Sequence, residues 1–569
     1  MSNAAAGEIS LAERAQAHID AGELDAALSC FEQAMAAGRG PVDVAARIAE
    51  SAMAAQRFDV AERYYSEVVR VVPDNAVVRL NHGYALHRLE RYVEARDEAA
   101  AACELARDMS IAQTFLGRVS HTLNYYDEAV AAFERVTLLE PDAPRAWLNF
   151  GEALVASYTR FDEGAAVLAK AATLEAEDQD FLIAVVSSQL GNGHFADAEA
   201  ILKKIIREDP NARRSPMPNI WLGYVIRSQG REGEAASHYV DALAACQRII
   251  ANGDGAEAIT YSAISAFILR AMGNTEMAGA RMDELCRLEL PPEAFVYDHD
   301  SYLPDTYERI QRLTRLVRGR DIALLLYGPS AHELEGRIDE LRDLDICFAS
   351  VNKFDEVENR FLAPIDRRLD LVIAGNPNDM RQRWHAFHDY LQRPDDNLLM
   401  LTKYAPIALP PPLGVGNAFA DAFDSKLLYF QTGGPLPTSP VAPLSFLGGN
   451  TLSVSLPLLT LAGPKRIFIF GADGGAQAPG AHDAPAYFFG ETAEVDASER
   501  RLREANRRFT NEARQCDHNA PFSVMAIAKL FRRPEPQVFN CCPHSNYRAF
   551  ERISVDSGLR LLKDQSTAA

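Results

Sequence analysis

In the second half of the chain, five short clusters of glycine or polar residues each follow an apolar run: Gly328-Pro329-Ser330, Val351-Asn352, Gly375-Asn376-Pro377, Gly471-Ala472-Asp473 and Asn540. Glycine lets a backbone approach a phosphate closely, and the N–H groups that open a helix can donate to one. An asparagine amide carries donor and acceptor together, as reading a base or a ribose requires. Singly, each cluster is an ordinary turn; brought to one edge of one sheet, they point to a nucleotide site. No GxxxxGK[ST] loop is present and no GxGxxG follows a strand, which argues against P-loop nucleotide hydrolysis and simple dehydrogenases. Asp343-Leu344-Asp345 precedes an apolar run instead of following one and reads as a helix-to-strand turn. Cys541, Cys542 and His544 lack a usual zinc spacing, so no metal and no cofactor is expected.

The elements that must position these clusters are apolar runs of strand length: 322–327, 345–351, 369–374, 397–401, 466–470 and 537–540. Helices are expected over Glu333–Leu341, Asn450–Leu461 and Ser498–Cys516. Alternating strands and helices predict an α/β Rossmann-like domain over 321–560, a mostly parallel sheet with helices on both faces. In such a sheet ligands bind beyond the carboxyl ends of the strands, where all five clusters fall. Residues 405–447, rich in Pro and Gly, read as a long irregular segment of the kind that folds over an active site.

The first half follows a different rule. Alanines 27, 61, 95 and 129 stand 34 residues apart, as do Gly164 and Ala198. The best copies of the pattern are Ala61-Tyr65-Val68-Pro73, Ala129-Phe133-Val136-Pro141 and Ala198-Leu202-Ile205-Pro210. Twelve residues before an anchor stand Gly83, Gly117 and Gly223. Small residues let two helices approach, an aromatic fills the remaining space, and proline ends the second helix. This period and these positions resemble the tetratricopeptide repeat, in about eight units over 9–288. The resemblance implies an α-helical solenoid whose groove binds a protein, with Asn81, Arg145 and Asn149 on first helices. The last two steps, 37 and 43, suggest longer turns or a distorted cap. A helical connector over 289–320 joins the halves.

The chain has 569 residues and a formal net charge of −21. Such a surface repels phosphate backbones and anionic lipid, so neither nucleic acid nor a membrane surface is expected as a partner. The eight cysteines include no CxxC pair and read as buried thiols in a reducing compartment. No stretch is apolar enough to span a membrane, and Met1–Ala6 has neither a basic segment nor a long apolar core; a cytoplasmic protein is expected.

Read in order, the second-half clusters resemble the bacterial family 42 sialyltransferases and the related motility accessory factors, which include flagellin glycosyltransferases. Gly328-Pro329-Ser330 matches the end of their first strand, Asn352 the nucleotide-contacting asparagine after the second, and Asn376-Pro377 the turn after the third. The block from Gly449-Asn450-Thr451 through Leu461 to Gly471-Ala472-Asp473 is similar to their Ser/Thr-bearing helix start followed by a strand and Gly-x-Asp. Tyr327 stands where the family carries asparagine, and Asn450-Thr451-Leu452 where it carries Thr-Ser-Gly. The resemblance implies metal-independent transfer of a nonulosonic acid (sialic, pseudaminic or legionaminic) from its CMP-sugar to a Ser or Thr of a protein acceptor such as flagellin. It places His482, in the loop after the Gly-x-Asp strand, as the base. Tyr487 would donate to the departing phosphate, with Asn450 and Thr451 as helix-terminal donors; Asp473 would either fix a loop or contact sugar. Two rivals share the framework: a pterin pyrophosphokinase, and a non-catalytic scaffold with a degenerate transferase domain.

Overall fold

The computed structural model describes residues 10–36, 42–123, 125–156, 160–175, 178–191, 194–208, 216–252, 255–287, 306–317, 319–375, 383–402, 423–433, 445–447, 451–475 and 499–564. These fall into two compact units, one holding the described residues up to Ala156 and the other those from Arg160 onward.

The first unit is a helical solenoid. Its helices are α1 (Leu11–Asp20), α2 (Leu24–Ala36), α3 (Val42–Ala54), α4 (Phe58–Val71), α5 (Ala76–Arg88), α6 (Tyr92–Leu105), α7 (Ser110–Thr122), α8 (Tyr126–Leu139) and α9 (Pro144–Ala156). A capping box opens α1: Ser10 Oγ accepts from Glu13 N at 3.1 Å, and Glu13 Oε2 from Ser10 N at 2.7 Å. The anchor alanines Ala27, Ala61, Ala95 and Ala129 are fully buried, which is why nothing larger recurs there. The glycine ahead of an anchor makes room for an aromatic ring: a Cβ on Gly117 would lie 2.7 Å from the ring of Phe133 in its own repeat, and one on Gly83 3.0 Å from Phe115 of the next. The side chain four places before that glycine ties down the preceding loop. Trp147 Nε1 donates to Pro141 O at 2.8 Å, and Arg79 Nε to Pro73 O at 2.6 Å. Arginine–carboxylate pairs join successive repeats: Arg57 with Asp25, Arg91 with Glu62 at 3.0 Å, Arg96 Nε with Glu128 at 2.9 Å and Arg135 with Asp108 at 2.5 Å.

The second unit opens with α10 (Phe161–Leu174), α11 (Gln179–Gly191), α12 (Phe195–Glu208), α13 (Pro216–Ser228), α14 (Glu232–Asn252), α15 (Gly255–Ala271) and α16 (Thr275–Cys286). The 43-residue step between its last two anchors reflects long helices, not long turns, since α14 has 21 residues and α15 has 17. Gly223 repeats the close approach: a Cβ there would lie 2.7 Å from the Tyr239 ring.

Among the described residues a sheet of nine parallel strands follows: β1 (Asp321–Leu325), β2 (Ile346–Val351), β3 (Leu371–Ala374), β4 (Leu398–Thr402), β5 (Leu427–Gly433), β6 (Ser445–Leu447), β7 (Arg466–Phe470), β8 (Gln537–Asn540) and β9 (Glu551–Arg552). Their order is β6-β5-β4-β3-β2-β1-β7-β8-β9. β1, β2, β3 and β7 are buried along their whole length, as a parallel sheet covered on both faces requires. One face packs on α17 (Thr306–Val317), α19 (Thr451–Leu461) and α20 (Glu499–Leu530) through Leu313, Leu458 and Cys516. On the other lies α18 (Trp384–Gln392), whose Tyr390 hydroxyl donates to Asp370 O and Leu398 O at 3.0 Å. Val555–Lys563 forms the last helix, α21.

Three further expectations are corrected. Residues 405–447 contain two strands, β5 and β6; Leu427, Leu428 and Phe430 are buried, and the surrounding prolines and glycines hid that short apolar run. The Glu333–Leu341 helix breaks at Gly336 into single turns, His332–Glu335 and Ile338–Leu341. The helix expected to stop at Cys516 runs on to Leu530 through Pro521, because burial on two sides outweighs the lost backbone bond.

Gly117→Ala is expected to lower stability by about 1–3 kcal/mol through overpacking against Phe133, whereas Gly233→Ala, with open space around it, should not. Urea unfolding measures both; equal midpoints would show that the close approach is not constraining.

Candidate functional site at the β1–β7 junction

Strand order reverses between β1 and β7: the chain leaves β1 toward β2 through β6 and returns on its other side. An open α/β sheet presents its ligand crevice at the carboxyl ends of such a pair. Here the two exit loops are bonded together. Leu326 N donates to Phe470 O at 2.8 Å and Gly328 N to Gly471 O at 3.0 Å. Asp473 crosses to the β1 loop, where its carboxylate accepts from Ser330 N at 3.2 Å and Ser330 Oγ at 2.9 Å. Only glycine permits this, since a Cβ on Gly328 would lie 2.2 Å from Asp473 Oδ2. Gly471 takes a left-handed φ of 80°, and a Cβ there would meet Leu326 O at 2.6 Å. Burial pushes the Asp473 carboxyl above its usual range, opposed by the Ser330 donors and the Cys542 thiol 3.5 Å away.

The hydrogen bonds continue along the rim. Asn540 Nδ2 and Ser545 Oγ donate to Ala472 O at 3.2 and 2.6 Å, and Asn546 N to Asp473 O at 3.0 Å. On the other side Ser350 Oγ donates to Leu325 O at 2.8 Å. Asn352, left-handed at φ 33°, accepts at Oδ1 from Gly375 N at 2.9 Å and donates its own N–H to Ile373 O at 3.0 Å.

Gly328, Pro329, Ser330, Asn352, Gly471, Asp473 and Asn540 thus share one sheet edge. Several of the polar groups expected to meet a nucleotide also hold adjacent loops together. Ser330 N–H, a candidate phosphate donor, is taken by Asp473, and the helix it opens is one 3-10 turn, Pro329–Ala331. The Asp473 contacts are those of a loop-fixing residue. Thr451 opens α19. His482, Tyr487, Asn376, Pro377 and Asn450 lie outside the described residues. Asp345 is at the opposite edge, where it pairs with Arg320 at 3.0 Å just before β2 begins. Among the described residues no group of His, Cys, Asp and Glu could hold a metal ion, and no helix is long and apolar enough to cross a membrane.

Sequence reasoning missed two contributors. Lys353 Nζ lies 6.0 Å over the Tyr327 ring, placing a positive charge at the β1–β2 exits; its only signal was its place directly after Asn352. The other is α20. On one side the Asp517 carboxylate accepts from Arg548 N and Ala549 N at 2.8 Å, holding the loop after β8. On the other, Gln515 Nε2 donates to Leu190 O at 3.1 Å, the His518 ring lies 4.6 Å from Tyr224, and Phe522 packs 5.5 Å from Phe267. Burial pushes His518 down to about 3, so its imidazole is neutral near pH 7.

The comparisons with known proteins speak to the first half. A family profile for the tetratricopeptide repeat matches residues 47–110 and 122–182. The repeats make this half a protein-interaction scaffold. Among solved structures, MamA (AMB-1) aligns at 20% identity and TM-score 0.27, covering 30% of this chain and 92% of its own. YrrB, described as a TPR protein with an unusual peptide-binding site, aligns at 16% identity and TM-score 0.27, covering 32% of this chain and 91% of its own. A tetratricopeptide repeat protein from Parabacteroides merdae aligns at 17% identity and TM-score 0.31, covering 41% and 91%. No curated protein matches the sequence significantly.

Two outcomes follow from this geometry. Gly328→Ala should destabilise the second unit by at least about 1–3 kcal/mol, while Gly336→Ala, with open space around it, should be near neutral; urea unfolding compares them. Burial, the largest influence, raises Asp517 from 3.8 to about 6 despite its two N–H donors. The folded state therefore holds this proton more tightly than the unfolded chain, and the stabilisation present below pH 3.8 is lost as pH rises to about 6. Asp517→Asn should remove that slope from the variant's own profile, so the difference in melting temperature between variant and parent should change across this window; a flat difference would refute the assignment.

Proposed function

We propose that the α/β half is a metal-independent glycosyltransferase that moves a nonulosonic acid from a CMP-sugar to a Ser or Thr hydroxyl of a protein held by the solenoid. The observation that carries this reading is the reversal of strand order at β1 and β7, with the Gly-Pro-Ser and Gly-x-Asp loops meeting there and Asn352 two strands' width along the same rim. Lys353 beside Tyr327 supplies positive charge suited to an anionic nucleotide. In the reaction the acceptor oxygen bonds to the anomeric carbon, the bond from that carbon to the phosphate oxygen breaks, and CMP departs. His482 would take the hydroxyl proton and Tyr487 would donate to the phosphate. Holding the acceptor on the same chain raises the effective concentration of its hydroxyls. Flagellin is one acceptor of the required kind, and the cytoplasm the compartment that supplies nucleotide sugars.

A second reading has its own support. Asp473, Ser330 and Asn352 spend hydrogen bonds on neighbouring loops, as a scaffold with a disused crevice would also do. Calorimetric titration with CMP, UDP, GDP and ATP separates the two. Saturable CMP binding is expected, with His482→Ala retaining it while transfer from CMP-nonulosonic acids falls by about a hundredfold or more. Absence of any nucleotide binding would leave the scaffold, and ATP binding alone would favour the pyrophosphokinase.

A further inference from the structure

Most arginines of the first unit are bound to carboxylates, including Arg47, Arg63, Arg79 and Arg96. Arg88 and Arg118 are exposed, and among the described residues neither has a carboxylate within ion-pair distance. They belong to one patch. Tyr84 and Arg118 occupy the same repeat position on α5 and α7, 34 residues apart, and so do Val77 and Ile111. The Tyr84 ring lies 4.1 Å from Phe115, and the Arg88 guanidinium 4.3 Å over Phe58. His87, whose ring is 5.8 Å from Phe115, is held below its usual range by burial and then by Arg118 and Arg88, which places both guanidiniums near it. Val77 and Ile111, two turns before Tyr84 and Arg118 on the same faces of α5 and α7, are 51% and 55% exposed and extend the surface toward the amino ends of the helices with apolar side chains.

We propose that this face of α5 and α7 docks an acidic polypeptide segment whose carboxylates engage Arg88 and Arg118 and whose apolar side chains lie on Tyr84, Val77 and Ile111. Guanidinium forks suit carboxylates, and the charge-assisted bonds formed are short and strong. The chain as a whole, with net charge −21, repels an acidic ligand at long range, so affinity comes from these contacts and is confined to them. A nucleic acid would have to run its phosphates across that same surface; a short peptide need not. The inference deepens the reading of the solenoid as the partner-binding half and rests on it.

Fluorescence anisotropy of the full chain with a labelled peptide alternating glutamate and leucine tests the proposal, against matched glutamine–leucine and lysine–leucine peptides. The glutamate peptide should bind, and Arg88→Gln with Arg118→Gln should weaken it at least tenfold, while Arg70→Gln, which removes a partner of Glu67, should not. Unchanged melting curves would show that the exposed substitutions leave the fold intact. Failure of the glutamate peptide to bind, or equal binding by the double variant, overturns the proposal. Preference for the glutamine or lysine peptide also overturns it, yet leaves the solenoid as a peptide-binding half.

Discussion

The contact between Asp473 and the β1 loop is the constraint on which the sheet's functional edge depends. A buried carboxylate is costly unless donors surround it, and Ser330 supplies two, from its backbone and its hydroxyl. That arrangement needs the space left by the missing side chain of Gly328 and the left-handed turn at Gly471. The same two strands are clamped at their amino ends by a buried ion pair, Arg466 Nη2 to Asp321 Oδ2 at 2.6 Å, with Leu561 O accepting a further bond from Arg466. Held at both ends, β1 and β7 give the exit loops a fixed geometry, and the bonds through Asn540, Ser350 and Asn352 carry it outward along the rim.

The helix α20 extends that support into the later repeats. Cys516, Ala520 and Val524 enter the sheet core, while Phe522, Met525 and Ala526 enter the core of α11 to α16. A single helix buried on opposite sides makes the two cores cooperative, since neither can lose it alone. Its polar residues are shared between the two sides: Asp517 holds the loop after β8, while Gln515 and Lys529 bond to Leu190 O and Asp283. The repeats α11 to α16 are therefore part of the platform that carries the rim, while the solenoid of α1 to α9 is a compact unit of its own.

The two halves ask different things of glycine and arginine. In the solenoid glycine admits an aromatic ring, as Gly117 does for Phe133; at the rim it admits a carboxylate, as Gly328 does for Asp473. In the solenoid arginine links neighbouring repeats in pairs that are individually weak when exposed. In the sheet one arginine, Arg466, is buried with its partner and would leave an uncompensated charge if that partner were lost.

What the sequence by itself determined is whatever repeats or alternates locally. The 34-residue spacing located the anchor alanines because each repeat solves the same packing problem, and the apolar runs of β1, β2, β3, β4, β7 and β8 were legible to within about two residues because a strand buried on both faces has no polar alternation to confuse it. The five rim clusters could be named because glycine and asparagine stand at strand exits. Only the tertiary structure decided what those clusters touch: that Asp473 reaches Ser330 across 143 positions of chain, and that Asn352 bonds to Gly375. It also decided the second half of α20, where Pro521 signals a break and burial between two cores overrides it, and the strand β5, whose short apolar run sits between proline-rich flanks. Local propensity is written in adjacent residues; the partners that outweigh it are supplied by distant ones.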